Sequence, residues 1–130
     1  MAGSLLHSGT TKTIIKSFYE VYNRLGYGFL EKVYENALAI VLRAKGCKVL
    51  QQHPIQIHFE GELIGQYYAD LLVNDSVIVE LKAADCIGDE HVAQLLNYLR
   101  ATRIEIGFLL NFGPEARFTR KIFTNDRKQV

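Results

Sequence analysis

The chain has 130 residues, 48% of them apolar, with 15 basic and 14 acidic side chains and a net charge of +1. Such a length favours a single domain, and the apolar content suffices for a packed core, which excludes a disordered tail. The near-neutral balance excludes a protein that coats nucleic acid through charge alone.

No run of about 18 apolar residues is present, so no membrane segment is expected. The opening stretch, MAGSLLHSGT, lacks the charged start and long apolar run of a signal peptide. Cys47 and Cys86 sit in unlike contexts and do not form a disulfide framework, so a reduced, cytoplasmic protein is expected.

The first periodic segment runs from about Thr11 to Leu25, with Ile14, Phe18, Val21 and Tyr22 at helical spacing, Thr10 or Thr11 as cap and Gly26 as stop. A second helix is expected from about Phe29 to Lys45, ended by Gly46, with Tyr34, Leu38 and Leu42 on its apolar stripe. Strand patterns follow in KVLQQHPIQIHF, ELIGQYYADLLV and VIVELKA, with EG and NDS as turns and Pro54 marking an edge or bulge. A third helix is predicted from about Asp89, its cap, to Thr102. IGFLLNF then reads as a buried strand, and RFTRKIF as a short edge strand. The order predicts an α/β (α+β) domain over residues 1–130, with helices packed on a central mixed sheet. From Arg117 onward, Arg117, Arg120, Lys121, Arg127 and Lys128 stand against a single acid, Asp126. This end reads either as a solvated basic tail or as an edge that contacts phosphate.

The second turn carries the chemistry. If the loop is Asn74–Ser76, Val73 pairs with Val77 and Asp70 falls opposite Glu80, with Lys82 on the same face as Glu80. Two carboxylates directly opposite one another destabilise a hairpin. A divalent cation reverses that sign, because carboxylate oxygens and a few waters suit Mg2+ or Mn2+. With a lysine beside it, such a site has the parts for metal-assisted phosphodiester hydrolysis. Two plainer readings compete. Glu80 and Lys82 could form a surface ion pair worth at most about 1 kcal/mol. A two-residue turn would send Asp70 and Glu80 to opposite faces.

Glu31 and Glu35 are four apart on the second helix and share a face, either as a solvated stripe or as a further ligand for metal or water. Gln94 and Tyr98 have the same spacing on the third helix, where Gln94 could contact a phosphate or remain a surface amide. Cys86 and His91 lack the second ligand pair that zinc requires. No serine sits in a G-x-S-x-G elbow, and no glycine loop suits a phosphate.

GFLEKVY, residues 28–34, carries a G-x-x-E-x-x-Y signature, and YYADLLV, VIVELKA and HVAQLLNYL follow in order. In these four motifs the chain resembles the GxxExxY protein family from about Leu25 to Phe123. That family is similar to the PD-(D/E)XK nuclease superfamily. The resemblance implies a restriction-endonuclease-like αβββαβ core, here with an extra N-terminal helix. It implies that Asp70, Glu80 and the backbone carbonyl of Leu81 hold the metal. It also implies that Lys82 serves the water and transition state, that Glu31 or, in second place, Glu35 completes the site, and that Gln94 assists. Ala69 stands where a proline often precedes the aspartate.

The expectation is therefore an Mg2+- or Mn2+-dependent nuclease, acting on DNA rather than RNA and forming a homodimer or higher homo-oligomer. The alternative is a non-catalytic nucleic-acid-binding or assembly module on the same fold. Its subunit contacts would come from IGFLLNF or the first helix.

Overall fold

The computed structural model describes residues 7–128, so most of the stretch read for a signal segment lies outside the described residues. Helix α1 runs Ser8–Leu25 and α2 Glu31–Ala44. Strands β1 (Val49–Phe59), β2 (Glu62–Val73) and β3 (Val77–Lys82) follow, then α3 (Asp89–Ala101), β4 (Ile106–Phe112), β5 (Ala116–Ile122) and a 3-10 turn, Asn125–Arg127. The strands form one five-stranded sheet in chain order. Every pairing is antiparallel except β3 with β4, which α3 joins as a crossover. This is the mixed sheet flanked by helices that the element order predicts.

Two apolar layers cover the sheet. On one side Phe18 of α1 and Tyr34, Leu38 and Leu42 of α2 pack on Leu71, Val79, Phe108 and Phe112. On the other, Leu95, Tyr98 and Leu99 of α3 pack on Ile55, Leu72, Ile78 and Leu109. Alternate residues of β3 and β4 thus enter both layers, which is why these strands read as unbroken apolar runs. All seven residues of β4 are buried, and β3 and β5 occupy both its edges. IGFLLNF is therefore unavailable for subunit contacts.

Element ends depart from the sequence reading by local chemistry. α1 begins before the expected threonine caps, after His7 in left-handed backbone, and Thr11 instead donates its hydroxyl to the Ser8 carbonyl at 3.1 Å. Tyr34 holds the connection to α2, donating its hydroxyl to the Gly26 carbonyl at 2.6 Å and accepting the Phe29 amide at 3.2 Å. Gly88, not Asp89, precedes α3, where His91 Nδ1 accepts the Gly88 amide at 3.1 Å. Glu60 and Gly61 both have positive φ, 52° and 79°, and close a tight β1–β2 hairpin.

Candidate active site

The β2–β3 register is Val73↔Val77, Leu72↔Ile78 and Leu71↔Val79, around the loop Asn74–Ser76. One step further, the regular ladder stops at the level of Asp70 and Glu80. The Asp70 amide donates to Glu80 Oε2 at 2.8 Å, and the Leu81 amide donates to Asp70 Oδ2 at 2.8 Å. Each carboxylate thus accepts a backbone proton from the opposite strand.

The other flank of β2 is irregular at the same level. Gln51 pairs with Leu71 and His53 with Ala69, but Gln52 and Asp70 do not pair. Ala69 and Leu72 both join the α3 layer, although strict alternation would put them on opposite faces. Gln52 takes a left-handed φ of 54°, unusual for this residue type. Its side-chain amide donates to Glu35 Oε1 at 2.8 Å and to Asp70 Oδ1 at 3.3 Å. Gln52 therefore bridges α2 and β2.

Burial and crowding of like charge shape the electrostatics. Glu80 is pushed up to about 8, first by burial and then by the Asp70 charge, with the Asp70 amide and Lys82 opposing. Asp70 is raised by burial, against the Leu81 amide and Gln52, with Glu35 and Glu31 adding to the rise. Two dehydrated carboxylates that repel each other form a hard-oxygen donor pair, and this chemistry fits a small divalent cation. Among the described residues, no group of three His, Cys, Asp or Glu side chains stands ready as a metal cage. A complete coordination shell would draw on backbone oxygen, water or a shift of Glu35.

The two helix glutamates differ in setting. The Glu35 side chain is only 5% exposed; Lys32 lies 3.0 Å and the Gln51 amide 2.8 Å from its Oε2. Its charge reaches both Asp70 and Glu80, whereas exposed Glu31 bears on Asp70. Lys82 is half-buried at the end of β3 and bears on Glu80. Gln94 donates to the Tyr98 hydroxyl. Tyr98 is raised by burial, against Gln94, with the charges of Glu80 and Asp70 adding to the rise. Gln94 thus meets the site through Tyr98.

Sequence reasoning passed over three of these groups. The adjacent amides of Gln51 and Gln52 carried no recognisable spacing. Asn111 was visible as the one polar residue in IGFLLNF. It is 2% exposed, its Oδ1 accepts the Ala84 amide at 3.0 Å, and its Nδ2 donates to the Ala84 carbonyl at 2.9 Å. Asn111 is also the register partner of Lys82, so it fixes the chain where β3 ends.

The crystal structure of SSO0001 is similar in fold, with a TM-score of 0.57 and 18% identity. The alignment covers 75% of this chain and 52% of that one, so the chain spans about half the length of that protein. No curated protein matches the sequence. Residues 8–122 match the PD-(D/E)XK nuclease superfamily, whose nucleases generally use divalent metals, and this supports a nuclease-type function. With that match spanning every helix and strand described above, the chain belongs to the PD-(D/E)XK nuclease superfamily.

Proposed function

We propose that this protein is a divalent-metal-dependent nuclease that hydrolyses phosphodiester bonds in nucleic acid, DNA in preference to RNA. The reading rests on the reciprocal seating of Asp70 and Glu80, which leaves two repelling, dehydrated carboxylates beside Lys82. Asp70, Glu80 and the backbone carbonyl of Leu81 would hold Mg2+ or Mn2+. Glu35 or Glu31 would complete the set, and the burial of Glu35 and its bridge through Gln52 favour Glu35. Such an ion, when bound, supplies a Lewis acid and a water of lowered pKa.

The remaining work falls to the chain. Lys82 orients the attacking water and meets the charge that develops on the phosphoryl oxygen. Gln52 keeps Glu35 and Asp70 at a fixed separation. Gln94, through Tyr98, gives a polar contact at the rim. The G-x-x-E-x-x-Y signature supports placement in the GxxExxY family, and the two free cysteines support a reduced, cytoplasmic setting. No helix among the described residues is long and apolar enough to cross a membrane. A homodimer, testable by light scattering, would widen a small domain's groove for a duplex.

The test is cleavage of single-stranded, duplex and branched DNA and of RNA, with Mg2+ or Mn2+, by wild type, Asp70→Ala and Lys82→Ala. Metal-dependent products from wild type alone are expected. The β1–β2 hairpin exposes Phe59, Ile64, Tyr67 and Tyr68, and this favours one second reading, a binding module that does not cut. Nucleic-acid binding with no product from any substrate, unchanged in Asp70→Ala, would establish that reading instead.

A further inference from the structure

The basic end singled out in the sequence divides in space. Arg117 pairs with Glu115, whereas Arg127 and Lys128 fold against the C-terminal end of α3. There the guanidinium carbons of Arg100 and Arg127 lie 5.2 and 4.7 Å from the centre of the Phe123 ring. Arg100, Phe123, Arg127 and Lys128 together line a concavity of about 270 Å3, so three of its four lining residues among those described are cations. Among the described residues no carboxylate lines it, although the charge of Glu105 reaches Lys128. Lys128 is anchored through its Nζ to the carbonyls of Thr102 and Ile104, at 2.9 and 2.7 Å. Neither Arg100 nor Arg127 forms an ion pair among the described residues. Like charges gathered this way repel unless an anion joins them, and guanidinium forks match phosphate oxygens.

Arg100 links this concavity to a larger groove beside the β1–β2 hairpin. That groove, of about 850 Å3, is lined by Arg100 and Asn97 of α3 and by His58, Phe59 and the acidic Glu60 at the tip of the hairpin. Further along the same hairpin, the Tyr67 ring centre lies 5.9 Å from that of Tyr98, whose hydroxyl feels Glu80 and Asp70.

We propose that Arg100 and Arg127, with Phe123 and Lys128, form a second phosphate site that grips the nucleic-acid strand away from the bond being cut. The inference deepens the nuclease reading and rests on it for the identity of the strand.

The test measures binding rather than cleavage, so the two ideas can fail separately. A labelled DNA duplex of about 20 base pairs is titrated with metal-free protein across a range of salt concentrations. Wild type is compared with an Arg100→Gln, Arg127→Gln double variant whose melting temperature is recorded. Both side chains are exposed, so the fold should hold. If it does not, Arg127→Gln alone serves, because no residue of its terminal turn is buried. The double variant is expected to bind about tenfold more weakly. Its salt slope is expected to fall by about 0.9 for each phosphate that the variant no longer neutralises. Unchanged affinity and salt slope for this duplex would overturn the proposal. Inorganic phosphate binding as tightly as the duplex would also overturn it, since the ligand would then be a free anion. A wild type that cuts nothing would remove the nuclease reading and leave this binding result standing on its own.

Discussion

Asp70 and Glu80 are locked across the β2–β3 hairpin, the Asp70 amide donating to Glu80 Oε2 at 2.8 Å while Asp70 Oδ2 takes the next amide of β3, that of Leu81, at 2.8 Å. Each carboxylate is therefore both a ligand candidate and a structural acceptor, and substitutions separate the two roles. Asp70→Asn keeps an acceptor for Leu81 and removes the charge. It should leave the melting temperature within a few degrees of wild type, yet lower metal-dependent cleavage at least about 100-fold. Asp70→Ala should abolish cleavage equally and also cost about 1–3 kcal/mol, because the buried Leu81 amide is left unpaired. Thermal melts beside cleavage rates check both.

The raised pKa of Glu80, about 8, gives the metal-free protein a distinctive pH response. Folded Glu80 holds a proton that the unfolded chain releases near its ordinary value of 4.5. Across the window between these values the folded state binds more protons, so stability falls as pH rises. The contribution is fully present below 4.5 and is lost as pH climbs through about 8. Between about pH 6 and 8, roughly 2 kcal/mol should disappear, at about 1.4 kcal/mol per unit for one proton. Glu80→Gln should flatten this slope in urea titrations at several pH values. Wild type with saturating Mn2+ should be stabilised most at the upper end of the window, where the carboxylate is free to ligate.

Gln52 combines a backbone cost with a bridging role, and two substitutions tell them apart. Its φ of 54° costs about 1 kcal/mol for a residue with a side chain, and glycine relieves it. Gln52→Gly and Gln52→Ala both remove the hydrogen bonds to Glu35 and Asp70. Cleavage should drop by a similar factor in both, about tenfold. Gln52→Gly should nevertheless melt at a higher temperature than Gln52→Ala. Equal melting temperatures with unchanged cleavage would remove Gln52 from the site.

Asn111 and Gly113 brace the segment after Lys82. Asn111→Leu leaves both polar groups of Ala84 without their partner, at a cost of about 2–4 kcal/mol. A Cβ on Gly113 would stand 2.2 Å from the Ala84 carbonyl oxygen, a backbone atom that cannot yield cheaply. Gly113→Ala should therefore destabilise by about 1–3 kcal/mol. Hydrogen exchange at Ala83 and Ala84 should rise in both variants.

Much of this arrangement was legible in the residues. The Asn74–Ser76 loop and the apolar runs on either side fix a register in which Asp70 meets Glu80, and the motifs point to the superfamily. Alternation then fails at Asp70, because it assumes an unbroken ladder and nothing in the letters of Gln51 and Gln52 announces a left-handed kink. Helical spacing puts Glu31 and Glu35 on one face, but which of them is buried depends on how α2 docks on the sheet. The basic C-terminal run was visible as charge. Its division between β5 and the end of α3 depends on where the chain turns after Phe123, and periodicity does not encode that.

The claim that Asp70 and Glu80 together cage a dication is tested most directly by calorimetric titration of Mn2+ into wild type and Glu80→Gln near pH 7, in two buffers of different ionisation enthalpy. Wild type should bind one ion per chain and release about one proton, the one Glu80 carries when the ion is absent. Glu80→Gln should bind far more weakly and release none. Equal affinity in the two proteins, or no binding to wild type, would contradict the claim.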